Sequence, residues 1–185
     1  TPRNTTVESV KHFLYSADQK QKTAILIKLI KDNNWKQALV FSRTKHGANK
    51  ITKKIIDKGI SAAAIHGNKS QGARTRALSN FKDGNVRILV ATDIAARGID
   101  IVQLPQVVNF DLPQVAEDYI HRIGRTGRAG ESGQAISLVS YDEYELLKSI
   151  EKLLKSLIER KELEGYQPTI KLPQSKLNTQ NSRTK

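Results

Sequence analysis

The amino-acid sequence predicts an α/β domain in which a mainly parallel β-sheet is covered by helices on both faces. Three observations carry that expectation. Short apolar runs alternate with longer stretches whose apolar residues recur at helical spacing, so strand and helix follow one another along the chain. Runs such as Ala38-Leu39-Val40-Phe41 and Val86-Arg87-Ile88-Leu89-Val90-Ala91 are nearly continuous in apolar residues, as in strands buried on both faces. The 185 residues fall in the size range of a single domain with a real core.

In chain order, residues 1–4 are polar, contain Pro2 and read as an incoming linker; the domain is expected over 5–168. Residues 7–15 mix Val, Phe, Leu and Tyr with polar residues and predict a first strand. Asp18-x-x-Gln21 resembles a capping box, and Ala24, Ile25, Leu26, Leu29 and Ile30 form the stripe of a helix ending near Asn33-Asn34. After the 38–41 strand, a helix is predicted over 46–58, ended by Gly59, with Ala48, Ile51, Ile55 and Ile56 on its apolar side. Residues 62–65 read as a strand, 66–70 as a loop and 71–81 as a helix with Ser70 as N-cap; Asp83-Gly84 then turns the chain. Further strands are predicted over 86–91, 106–110 and 135–139, with helices over 115–123 and 141–155. Residues 169–185 lack apolar periodicity, carry four basic and no acidic residues, and read as a flexible basic tail.

In parallel sheets ligands collect at the carboxyl ends of the strands, so Thr44, the His66-Gly67 loop, the Thr92-Asp93 loop and Asp111-Leu112-Pro113 are expected on one rim. Lys and Arg number 31 against 18 Asp and Glu, a formal charge of +13, which points to nucleic acid or another polyanion as partner. The absence of cysteine excludes disulfides and thiolate chemistry. No apolar run reaches the roughly 18 residues of a membrane span, so a cytoplasmic protein without a membrane partner is expected. A monomer is the starting expectation.

The chemistry concentrates in Tyr119-Ile120-His121-Arg122-Ile123-Gly124-Arg125-Thr126-Gly127-Arg128-Ala129-Gly130, with three arginines and a histidine in the eight residues from His121 to Arg128. Guanidinium groups repel one another, and their planar forks match phosphate oxygens, so the segment reads as an anion site whose glycines permit a tight turn. Ser42-Arg43-Thr44-Lys45 precedes a helix N-terminus and suits either phosphate contact or an ordinary Thr44 cap. In His66-Gly67-Asn68-Lys69-Ser70-Gln71-Gly72-Ala73-Arg74 an amide-rich turn leads into a helix that places Gln71 and Arg74 on one face, suited to a sugar-phosphate backbone. His66 itself reads as packed rather than catalytic. In the 91–100 segment, Thr92 and Asp93 either cap the next helix or join Arg97 and Asp100 in contacts to ribose and phosphate. No G-x-x-x-x-G-K-[ST] loop, acidic metal site, Ser/His/Asp constellation or Cys/His cluster is present in the sequence, so no metal ligands are assigned. Arginines aimed at phosphate without the means to hold a nucleotide point to a site built mainly by another domain.

These segments resemble, in order, the motifs of the C-terminal RecA-like domain of DEAD-box RNA helicases over about residues 5–160. Val40-Phe41-Ser42-Arg43-Thr44 is similar to motif IV, Gln71-Gly72-Ala73-Arg74 to the QxxR element, Val90 to Asp100 to motif V, and His121 to Arg128 to motif VI. The wording around 45–49 and 67–74 is further similar to the bacterial RhlE-type subgroup. The resemblance implies a RecA-like three-layer fold. It implies Arg125 and Arg128 as fingers toward the γ-phosphate of ATP, with Mg2+, held by an N-terminal RecA-like domain that this sequence does not contain. It implies His121 as a coupling residue, Arg122 as structural or interdomain, and Asp100 as a ribose contact. Ser42, Arg43, Thr44, Gly67, Arg74 and Thr92 are implied contacts to single-stranded or duplex RNA, with Gln71 supporting that surface. The chain by itself is not expected to hydrolyse ATP, and its fingers are expected to be idle and solvent-exposed. Two other readings stay open: a related motor acting on DNA, and a non-catalytic RNA-binding scaffold.

Overall fold

The structure is a computed structural model that describes residues 10–127 and 133–177. Strand β1 (Val10–Ser16) leads through a 3-10 turn (Gln19–Gln21) into α1 (Lys22–Asp32), followed by β2 (Ala38–Phe41), α2 (Lys45–Asp57), β3 (Ala62–Ile65) and α3 (Gln71–Lys82). Then come β4 (Ile88–Ala91), α4 (Asp93–Arg97), β5 (Gln106–Asn109), α5 (Ala116–Ile123) and β6 (Gly133–Val139). A second 3-10 turn (Tyr141–Glu143), α6 (Tyr144–Leu154) and β7 (Glu159–Lys161) complete the order. Among the described residues the seven strands form one sheet, β3-β4-β2-β5-β6-β1-β7, with every pairing parallel.

Period-2 alternation along the central strands divides the core in two. Leu39, Phe41, Leu89 and Ala91 pack with Phe81, Ala95, Tyr119, Ile123, Leu147 and Ile150, so α3 to α6 cover one face. Ala38, Val40, Ile88 and Val90 pack with Ile25, Leu26, Ala48 and Ile51, so α1 and α2 cover the other. A fully buried Leu, Ile, Val or Phe contributes about 1.5–3 kcal/mol, which makes these two layers the main source of stability.

Local signals account for several boundaries. The Thr44 hydroxyl accepts a hydrogen bond from Gly47 N–H at 3.0 Å and starts α2; Ser70 accepts from Ala73 N–H at 3.1 Å and starts α3. The capping box expected at Asp18 and Gln21 does not form. Asp18 stands at the N-cap of the first 3-10 turn without a side-chain cap bond, because its carboxylate accepts from Thr169 N–H at 2.9 and 3.0 Å and from Thr169 Oγ1 at 3.0 Å. Those bonds hold Asp18 below the usual carboxylate range, the backbone N–H of Thr169 being the largest cause. A true capping box forms instead at Ser140 and Glu143.

Within the stretch expected as a flexible basic tail over 169–185, the described residues 169–177 make contacts with the domain. Leu172 is buried, Tyr144 Oη donates to Gln174 O at 2.9 Å, and Arg160 donates to Leu172 O, Pro173 O and Ser175 Oγ. These anchors lie far away in sequence, so a polar stretch without periodicity still packs; residues 178–185 are outside the described residues. Strand β7, Glu159-Arg160-Lys161, was not expected from its charged composition. It is aligned by pairing with Phe13 to Tyr15, and Glu151 Oε2 accepts from Ile158 N–H at 2.8 Å just ahead of it.

Candidate functional site

Parallel register places the candidate loops side by side. Phe41 pairs with Ala91 and with Asn109, and Ile65 pairs with Ala91, so the chain leaves β2, β3, β4 and β5 at one level. Ser42 N–H donates to Ala91 O at 2.9 Å, Thr92 N–H to Ile65 O at 3.4 Å, and Lys45 Nζ to Asn68 Oδ1 at 3.3 Å. Ser42, Arg43, Thr44, Gly67, Gln71, Arg74 and Thr92 thus lie along one rim.

The seven residues do not present themselves alike. Arg43, Thr44, Gly67 and Gln71 are exposed, and Arg74 and Thr92 are half-buried. Thr92 stands at the N-cap of α4 without a side-chain cap bond. Ser42 is buried, with Oγ donating to Thr44 O at 3.1 Å; it shapes the loop from beneath. Gly47, behind it, is required by close approach, since an added Cβ would stand 2.7 Å from Ser42 Oγ. Gly67 is the opposite case: it has no positive φ, and an added Cβ would meet no atom within 4 Å. Nothing in the described residues demands glycine there. His66 is packed, accepting from Asn68 N–H at Nδ1 and pairing through Nε2 with Asn49 Oδ1 at 2.9 Å.

Arg122 joins the loops. Its side chain is 1% exposed, and its guanidinium donates through Nε and Nη2 to both oxygens of Asp93 at 2.7 Å. Nη1 donates to Asn109 Oδ1 at 3.1 Å and to Asp111 O at 2.6 Å, and the Phe41 ring lies 4.9 Å from the guanidinium carbon. Such a fork fits the bidentate, stacked geometry that arginine provides and lysine does not. Asp111 is held in turn. It accepts from Arg43 N–H at 2.9 Å and lies 3.9 Å from the fully buried Lys22 Nζ, which donates to Phe110 O at 2.8 Å and to Glu143 Oε1 at 2.5 Å. Glu143 also accepts from Leu112 N–H at 2.8 Å. Sequence reasoning missed Lys22, Asn109, Asp111 and Glu143 as parts of this network. A signal for Lys22 exists, because 22, 25, 26, 29 and 30 share helical register with the apolar stripe.

The nucleotide-facing candidates form a second group. Asp118 accepts from Arg97 Nη2 at 3.0 Å, and the same oxygen lies 3.4 Å from His121 Nδ1, with both basic side chains mostly exposed. Arg125 corrects the expectation of idle, solvent-exposed fingers. It is half-buried and donates to Ala96 O at 2.7 Å, Ile99 O at 2.8 Å and Ile101 O at 3.1 Å, holding the turn that carries the exposed Asp100. Ala96 O lies in the last turn of α4, where carbonyls need donors from outside the helix, and Ile99 O and Ile101 O belong to the turn that follows. Burial lowers the Arg125 pKa from its ordinary value, and Asp100 opposes that shift. Gly127, at φ +73°, makes the turn that follows. Arg128 lies outside the described residues. Among the described residues no group of three or more His, Cys, Asp or Glu is placed to hold a metal, and no helix is long and apolar enough to cross a membrane.

Comparison with known proteins agrees with this layout. The profile described as "Helicase conserved C-terminal domain" matches residues 21–130. The chain is 42% identical over 124 residues to the ATP-dependent RNA helicase RhlB of Pseudomonas aeruginosa, covering 67% of this chain and 31% of that protein. It is 38% identical over 175 residues to the DEAD-box ATP-dependent RNA helicase CshA of Bacillus cereus, covering 91% and 33%. The chain therefore spans about a third of the length of these relatives. Among solved structures, E. coli DEAD-box protein SrmB bound to regulator of ribonuclease activity A superposes with a TM-score of 0.80 at 34% identity, covering 90% of this chain and 98% of that one. A point variant of S. cerevisiae Dbp5 bound to RNA and ADP BeF3 superposes at 0.75 with 32% identity, covering 83% and 42%. These matches do not single out the RhlE-type subgroup. The RecA-like α/β fold, the motif order and the near-complete coverage of the SrmB chain lead to one conclusion: the chain belongs to the DEAD-box RNA helicases, as their conserved C-terminal domain.

Proposed function

We propose that this domain is the second motor half of an ATP-dependent RNA helicase. In that role it grips the RNA backbone along the rim and completes an ATPase site built mainly by an N-terminal RecA-like domain. The observation that carries this reading is the Arg122 network, because the buried Arg122 ties the Thr92-Asp93 loop, the Arg43 loop and the arginine segment into one hydrogen-bonded unit. A shift in the arginine segment is then felt at the RNA strip. Arg43, Thr44, Thr92 and Arg74, with Gln71 in support, supply donors to phosphates, and the open space above Gly67 lets a backbone approach closely.

The exposed Asp100 can accept from a ribose hydroxyl, and His121 stands where another domain can reach it. Bound ATP with Mg2+ would supply the phosphoanhydride, with the metal held mainly by the partner domain. Arg125 has a double task here. Three of its hydrogen bonds position the Asp100 turn, and its remaining donors are available to a phosphate oxygen alongside Arg128. RNA as substrate, and a single copy as the working unit in the cytoplasm, complete the reading.

RNA-stimulated ATP turnover by the full-length protein tests it. Arg128→Ala and Arg125→Ala should each reduce turnover on the order of a thousandfold. A loss below tenfold for both refutes the finger role. Preference for DNA over a matched RNA duplex in strand separation would refute the substrate assignment.

A further inference from the structure

A groove of about 910 Å³ runs between α1 and α2 on the face opposite α3 to α6. Lys20, Arg43, Lys50, Lys54 and Lys58 line it. None of these five has an ion-pair partner among the described residues. Two carboxylates also line it, Asp57 and Asp111, and Asp111 is committed to Arg43 N–H and to the neighbourhood of Lys22. Asp57 is the remaining acid against five cations. Lys50 and Lys54 on α2 and Lys58 at its C-cap repeat at i, i+4, i+8, so they form one row spanning about 12 Å. Like charges at that spacing destabilise a helix unless something neutralises them. The floor is apolar, with Ala24, Ile27, Ile51 and Phe110.

We infer that this groove extends the RNA path, so that a single strand leaving the Ser42 to Thr44 loop continues along α2 with its phosphates on the lysine row. This inference rests on the RNA-binding reading of the rim. RNA fits better than an acidic protein segment for two reasons. The groove shares Ser42, Arg43 and Thr44 with the rim, so one continuous polyanion can occupy both. The combination of a regular cation row with an apolar floor suits a chain of evenly spaced phosphates carrying flat bases. The contacts are to backbone, so they lengthen the footprint without adding sequence preference.

The test uses the full-length protein with ATP analogue and two single-stranded RNAs: one just long enough to fill the rim, and one longer at the end that leaves past Thr44. The variant is Lys50→Gln/Lys54→Gln/Lys58→Gln, compared with Arg74→Ala and with a charge-matched control, Lys152→Gln/Lys171→Gln/Lys176→Gln. On the long RNA, the groove variant should lower the slope of log affinity against log salt by about 2, since each single-strand phosphate contact contributes about 0.7. Its slope on the short RNA should not change, nor should the control's on either. An unchanged slope on the long RNA, with Arg74→Ala still lowering it, overturns the groove and leaves the rim reading intact. If neither Arg74→Ala nor the groove variant alters RNA binding, the rim reading fails and the groove with it. Equal losses on both RNAs, or equal losses in the control, overturn the proposal in favour of diffuse surface charge. Binding of poly-glutamate that needs the three lysines, with RNA binding that does not, overturns it in favour of an acidic protein partner.

Discussion

At the scale of single residues, the site depends on charges that the fold has enclosed. Arg122 is satisfied on every side, by Asp93, Asn109 and the Asp111 carbonyl, so its desolvation is offset only while all partners stay in place. Arg122→Ala should therefore reduce stability by about 3 kcal/mol, read as a shift in the denaturant midpoint, because Asp93 and Asn109 lose their donor. Arg122→Lys should recover only part of that, since an ammonium cannot span both Asp93 oxygens. Motif wording in the sequence places Arg122 as structural or interdomain, and its enclosure shows the structural part. Its partners were not legible there. Asn109 ends β5 and Asp111 lies two residues past it, and nothing local marks them as facing a residue on the next helix.

At the scale of elements, hydroxyl caps translate directly from sequence into structure, as Thr44 and Ser70 show, because the bond closes within three residues. The 66–70 loop depends on a different local bond, that of His66. Its Nδ1 accepts from Asn68 N–H, so the neutral ring carries its proton on Nε2 toward Asn49. Desolvation, then Lys69 and Lys45, lowers its pKa below 6.5. A lowered folded value means that the unfolded chain takes up the proton first. The stabilisation is thus complete above pH 6.5 and is lost as pH falls below it. His12, lowered by burial beside Tyr119, acts in the same direction. The urea midpoint should fall between about pH 7.5 and pH 5.5, and His66→Gln should make that fall shallower. An unchanged pH dependence in the variant would remove His66 from the account.

At the scale of the whole molecule, the sheet edge and the chain's later residues are tied together. β7 pairs with β1, Arg160 holds the Leu172 and Pro173 carbonyls and Ser175 Oγ, Thr169 reaches Asp18, and Leu172 is buried. Ending the chain at Pro168 should lower stability by about 2 kcal/mol relative to ending at Leu177, mostly from lost apolar burial, as measured by chemical denaturation. Sequence alone determined the α/β class, the two-faced burial of the strands, the position of the rim and the motif order, because these follow from apolar periodicity and local chemistry. Only the tertiary structure decided that Arg125 is engaged rather than idle, that Lys22 and Glu143 support the rim from inside, that Asp18 serves Thr169 instead of its own helix, and that five cations line one groove. The reason is physical. Burial and pairing of a charge are set by partners tens of residues away, and a periodic pattern records which face of an element is covered without recording what covers it.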